Sequence, residues 1–148
     1  MHLQQWKSNG WLQLHQTTPS QIASLLAIVD RDLEDSVSDL SPDWQFGIAY
    51  NAALKLCTVL LYASGFRPEK NLAHYRTLAA LPLILGNERK DDADYLDACR
   101  AKRNTAEFDA AGTVGQSEAN ELREFTRELR TDVMAWLAAN HPDLLPAR

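Results

Sequence analysis

With 148 residues, the chain suits one domain that buries about two thirds of the surface its unfolded form would expose, so neither a disulfide framework nor a structural metal is required. A composition of 45% apolar and 24% charged residues is that of a globular protein and argues against disorder except at the ends. The net charge of −5 argues against broad electrostatic binding to nucleic acid and leaves room only for a local basic patch.

Taken in chain order, the first strong signal is TPSQIASLLAIVDRDLEDS, residues 18–36. Thr18 precedes Pro19, Gln21 is spaced to complete a capping box, and Ile22, Leu25, Leu26, Val29 and Leu33 recur at helical spacing. Residues 41–65 repeat this logic, with Ser41 as cap, Pro42 in the first turn, Asp43 beside it and Gly65 as the stop. Phe46, Ala49, Tyr50, Ala53, Cys57, Leu60 and Leu61 form its main stripe, while Ile48, Leu54, Leu56 and Val59 spread around the circumference. Such a helix packs on more than one side and is expected at the centre.

Residues 71–85 read as a third helix that Pro82 kinks or breaks. Residues 88–109 are highly charged but helix-prone, and Leu96, Cys99, Arg103 and Ala106 share one face, which sets Arg103 among packing residues. After the glycine-marked loop AAGTVGQ, a last helix runs from Ser117 through Leu122, Phe125, Leu129, Val133, Trp136 and Leu137. No segment alternates apolar and polar residues between hairpin turns. The expectation is a single all-α domain over residues 1–148, an antiparallel bundle of four to five helices with short connections.

Cys57 and Cys99 lie far apart and suit reduced thiols. The opening residues lack the apolar run of a signal sequence, and Pro82 and charged residues are read as interrupting every later candidate membrane span. The expected location is therefore cytoplasmic, with no membrane contact. Histidines 2, 15, 74 and 141 show no metal-site spacing. Trp44, near a helix start, and Trp136 are expected to pack.

The stretch with chemical content is CRAKRNTAEFD, residues 99–109. Helical geometry sets Arg100, Asn104 and Glu107 along one ridge with Arg103 beside them. Guanidinium groups suit phosphate because their planar donors engage two oxygens and their charge does not titrate away. Glu107 or Asp109 could partner a partly buried Arg103. His74 and Arg76 would approach the motif if their helix packs on the charged one.

The central SPDWQFGIAYNAALKL helix, the GFRPEKNLAHYRTL stretch and the RAKRNTAEFD motif before the last helix together resemble the HEPN superfamily of small prokaryotic helical domains. The resemblance covers nearly the whole chain and rests most specifically on Arg103 and Asn104 with the Glu107, Phe108, Asp109 ending. It implies a HEPN-like bundle, a homodimer with the motif near the symmetry axis, and a role in RNA or nucleotide binding in a toxin–antitoxin or stress-defence setting. A nucleotidyltransferase-type antitoxin is the implied protein partner, and no cofactor is implied. In many members, an arginine, a polar residue and a later histidine make a metal-independent endoribonuclease. Here Phe108 and Asp109 stand where that histidine could be, and Phe108 lacks the hydroxyl that accepts a nucleotide in some relatives.

If the chain is an enzyme, Arg103 stabilises the phosphorane, Asn104 orients a phosphate or ribose, and Glu107 or Asp109 acts as base, with Arg100, His74 and Arg76 as binding residues. A carboxylate with an ordinary pKa of about 4 is a poor acid at neutral pH, which weighs against turnover. The alternative is a noncatalytic dimeric interaction module in which the same side chains form a structural ion-pair network.

Overall fold

A computed structural model describes residues 2–108 and 110–145, with Phe108 described by its backbone alone. The described chain is mostly helical, as the sequence leads one to expect, with additions at its N-terminal end. A short helix, α1 (Leu3–Ser8), leads into strand β1 (Leu12–Leu14). Next come α2 (Pro19–Asp35) and α3 (Pro42–Ala63). Thr18 and Ser41 cap these helices, accepting from the backbone N–H of Gln21 at 3.2 Å and of Trp44 at 3.5 Å. The expected capping box at Thr18 is only half present, because the Gln21 side chain meets Thr17 and His15 instead.

Gly65, at φ +94°, turns the chain out of α3 into strand β2 (Phe66–Pro68), a conformation that favours glycine. The strands pair antiparallel, with Leu12 opposite Pro68, Gln13 opposite Arg67 and Leu14 opposite Phe66. Buried Leu12 joins Trp6, Leu61 and Ala80 in a small apolar cluster. This pair departs from a purely helical expectation. Each strand is three residues long and its partner lies over fifty positions away, so no local alternation or hairpin turn announces it.

Pro82 breaks the third expected helix at Ala80, giving α4 (Ala73–Ala79) and α5 (Leu81–Leu85). Gly86 and a 3₁₀ turn, Asn87–Arg89, precede α6 (Lys90–Phe108), and α7 (Gln116–Asn140) closes the core. The central helix is α3, with α2, α4, α6 and α7 all packed against it. By length and composition α3 could cross a membrane, so charges do not interrupt every candidate span. Two thirds of its apolar window (67%) is buried by the other elements, as befits a core helix.

One polar network locks this arrangement. Gln45 is buried and donates to Ser38 O at 3.2 Å and Leu40 O at 2.8 Å, while its carbonyl accepts from Gln116 Nε2 at 2.7 Å and an Arg123 terminal nitrogen at 3.0 Å. The same nitrogen of Arg123 donates to Ser36 O at 2.6 Å. All four hydrogen-bonding positions of one amide therefore tie the α2–α3 connection to α7.

Candidate functional site

Helix α6 packs through Ala93, Leu96 and Cys99, and one turn later Arg103 takes the position of the next packing residue. Gly47 on α3 faces this turn: a Cβ built there would lie 3.7 Å from Glu107 Oε1 and 3.9 Å from Arg103 Cγ, ordinary contact distances. Arg103 Nε lies 3.3 Å from Glu107 Oε1, an i,i+4 ion pair. Its N–H is not aimed at that oxygen, and buried Nε has no hydrogen-bond partner among the described residues. A terminal nitrogen donates to Asn104 Oδ1 at a long 3.3 Å. The guanidinium carbon lies 5.7 Å from the centroid of the Tyr50 ring.

Tyr50 is 1% exposed, and its hydroxyl is likewise buried without a hydrogen-bond partner among the described residues. Burial, partly opposed by Arg103 and Arg100, pushes that hydroxyl up to about 12, so it is a neutral donor at physiological pH. Arg100 Nε donates to Asp97 Oδ1 at 2.8 Å. Burial and the positive charges of Arg103, Lys55 and Arg100 push the His74 imidazole below its ordinary value. His74 is therefore in the electrostatic neighbourhood of the motif, consistent with α4 packing against α6.

Arg76 does not join it. Its guanidinium carbon sits 4.1 Å from the centroid of the Trp11 ring, at the strand pair. Asp109 lies outside the described residues, as does the Phe108 side chain. The remaining sequence candidates, Arg100, Arg103, Asn104 and Glu107, share the last turns of α6. Tyr50 and Gly47 meet these turns from α3, and Lys55 on the same helix acts electrostatically on His74. An apolar stripe announces that Tyr50 is buried; it carries no signal that the hydroxyl is orphaned.

Beyond Glu107 the surface opens into a cleft of about 510 Å³ between the start of α3 and the loop after α6. Asp43 holds this loop, accepting from Gly112 N at 2.6 Å and Val114 N at 3.2 Å. Trp44 lines the cleft and is 58% exposed, contrary to the expectation that it packs. Its place three residues after the Ser41 cap turns it outward. Among the described residues, no group of three or more His, Cys, Asp or Glu side chains could hold a metal ion.

Arg103 and Arg100, whose side chains are partly exposed, can present guanidinium donors to an anion, whereas the Tyr50 hydroxyl is buried. Glu107 and Asp97 offset part of the positive charge. No family model, curated protein or solved structure matches this chain.

Proposed function

We propose that this is a HEPN-like bundle protein whose α3–α4–α6 face binds a phosphate group of RNA or a nucleotide without turning it over. The supporting observation is the pair of buried donors without a partner among the described residues, Arg103 Nε and Tyr50 Oη, on a face where the charges of Arg103, Arg100 and Lys55 all act on His74. A buried donor without an acceptor costs about 1–3 kcal/mol, and phosphate offers acceptor oxygens with no competing requirement for donors. Binding is favoured over endoribonuclease chemistry because Glu107 is engaged by Arg103 and α6 carries no histidine. The resemblance supplies the rest of the reading: a cytoplasmic homodimer in a toxin–antitoxin or stress-defence setting, with a nucleotidyltransferase-type antitoxin as partner.

The test is calorimetric titration of ATP and a short RNA into the full chain at low salt, with His74 followed by NMR. Binding at this face raises the His74 pKa, because an anion offsets the cations that depress it, and Arg103→Ala abolishes that shift. A His74 titration unmoved by either ligand, or a shift retained in a folded Arg103→Ala, overturns the proposal.

A second reading has its own observation. Val37 (54%), Leu40 (44%) and Trp44 (58%) are exposed around the start of α3, an apolar surface of the kind used to contact another protein. In a noncatalytic dimeric module, the Arg103–Glu107 and Arg100–Asp97 pairs would be structural. Sedimentation of wild type and Trp44→Ser separates the readings: a dimer lost with Trp44 and no response to phosphate probes favours the module.

A further inference from the structure

The strand pair carries a second cationic surface on the opposite side of α4. His74 and Arg76 are two residues apart, about 200° around a helix, so one helix serves two faces. Antiparallel pairing sets Gln13 opposite Arg67, and Glu69 N bonds to Trp11 O at 3.0 Å. Trp11, Gln13, Arg67 and Glu69 thereby line a polar cleft of about 610 Å³, and Lys70 and Arg76 complete it.

Its charge balance sets it apart in an acidic chain. Elsewhere Arg31, Arg89, Lys90, Arg100, Lys102, Arg103, Arg127 and Arg130 each lie against a carboxylate. Among the described residues, six cations, Lys7, Lys55, Arg67, Lys70, Arg76 and Arg123, have no carboxylate partner, and three of the six, Arg67, Lys70 and Arg76, meet in this cleft. Arg67 is held by the Gln13 carbonyl oxygen, at 3.0 Å from Nε and 2.7 Å from a terminal nitrogen. The Gln13 amide nitrogen in turn donates to the carboxylate of Glu69, the acidic side chain in the cleft. Gln13 thus orients Arg67 and restrains Glu69, leaving three cations against one anion.

The Trp11 ring orients Arg76 by its face and leaves the guanidinium edge free of hydrogen bonds to the described residues. Trp6 packs edge-on against Trp11, with centroids 5.8 Å apart. With Arg76 over its face, Trp11 serves as a platform for the arginine, which favours recognition of phosphate over stacking of a base. Beside the cleft, Leu72 holds a left-handed φ of +56° while its side chain stays exposed. Strain of this kind in a non-glycine residue accompanies ligand-contacting loops.

We propose that the Trp11–Arg67–Lys70–Arg76 cleft is a phosphate-binding site, separate from the Arg103 face, that takes a phosphate group of a nucleotide or of an RNA backbone. Arg76 supplies a preoriented planar fork, Arg67 a second, and Lys70 an adjustable point charge. Glu69 repels carboxylate ligands as well as phosphate; the guanidinium geometry and excess positive charge select the more highly charged anion.

The test titrates the full chain with pyrophosphate, ATP and a short single-stranded RNA lacking terminal phosphates at 50 mM salt, reading calorimetric heat and tryptophan fluorescence. Lys70 is exposed, so Lys70→Gln leaves folding intact, and Arg76→Gln removes the stacked cation. The expected result is saturable binding by at least one probe, weakened at least tenfold in the Lys70→Gln/Arg76→Gln double variant and retained in Arg103→Ala. Response to pyrophosphate and ATP identifies a free-phosphate source, and response to RNA alone identifies the backbone. Binding by none of the three, or undiminished binding in the single variant Lys70→Gln and in the folded double variant, overturns the site. Loss confined to Arg103→Ala also overturns it and leaves the Arg103 reading standing.

Discussion

Replacing Tyr50 with phenylalanine removes one oxygen and little else, which makes its sign informative. Deleting a bonded hydroxyl from a protein interior costs about 1 kcal/mol, whereas deleting an unpartnered one returns a desolvation penalty of about 1–3 kcal/mol. The Tyr50 hydroxyl has no hydrogen-bond partner among the described residues, and the residue is 1% exposed. Tyr50→Phe is therefore expected to raise stability by about 1 kcal/mol, or about 2–4 °C in Tm for a domain near 150 residues. Scanning calorimetry at pH 7 reads this directly, since a hydroxyl pushed up to about 12 remains neutral there. The same variant weakens phosphate binding at the Arg103 face. A loss of 1 kcal/mol or more on substitution would mean that the hydroxyl is satisfied in the free protein, and the reasoning from orphaned donors would fall.

Gly47→Ala places a methyl group in ordinary contact range of Glu107 and Arg103 and removes the helix penalty of glycine, so stability rises by about 1 kcal/mol in urea unfolding; a drop would show that α6 sits closer to α3 than these contacts indicate. Gln45→Leu keeps the approximate size but deprives the Ser38 and Leu40 carbonyls of their donor, costing about 2 kcal/mol and about 4–8 °C in Tm. An unchanged Tm would show that water replaces the amide. Burial pushes Cys57 up to about 12 and Cys99 to about 11, from ordinary thiol values of 9.0. With the native values raised, the unfolded chain releases these protons first. Their contribution is intact below pH 9 and is lost progressively toward pH 11–12. Thermal scans from pH 8 to 11 should show a falling Tm, with a shallower fall in Cys57→Ala; identical slopes would exclude the Cys57 contribution.

The helices are legible because their signals are local. Ser41 and Thr18 announce starts, Gly65 and Gly86 announce ends, Pro82 announces a break, and the circumferential apolar residues of α3 announce its central place. Pairing between Leu12–Leu14 and Phe66–Pro68 depends on tertiary proximity, so it leaves no period in either segment. At the site, Arg103 is legible as a cation on a packing face, and Glu107 as its i,i+4 partner. The separation of His74 from Arg76 is also implicit in helical geometry, since two residues turn a side chain to nearly the opposite face. Which neighbour each finds is decided by α6 and Trp11, from distant parts of the chain.

A purely structural ion-pair network has an easier solution available than the one observed. With Glu107 Oε1 already 3.3 Å from Arg103 Nε, a modest reorientation would align the N–H with its acceptor and remove one buried orphan. The observed geometry leaves that bond unaligned, and a second buried donor without a partner among the described residues, the Tyr50 hydroxyl, belongs to the ring whose centroid lies 5.7 Å from the same guanidinium carbon. Two local costs in one contact must be offset by packing elsewhere, here the buried Leu96 and Cys99 turns of α6 against α3. Departures from local consistency concentrate where a protein meets a ligand. A group that relieves the guanidinium must accept from its N–H groups, tolerate positive surroundings and demand no donor in return. Phosphate oxygens meet all three requirements, whereas a closed ion-pair network leaves both donors unexplained.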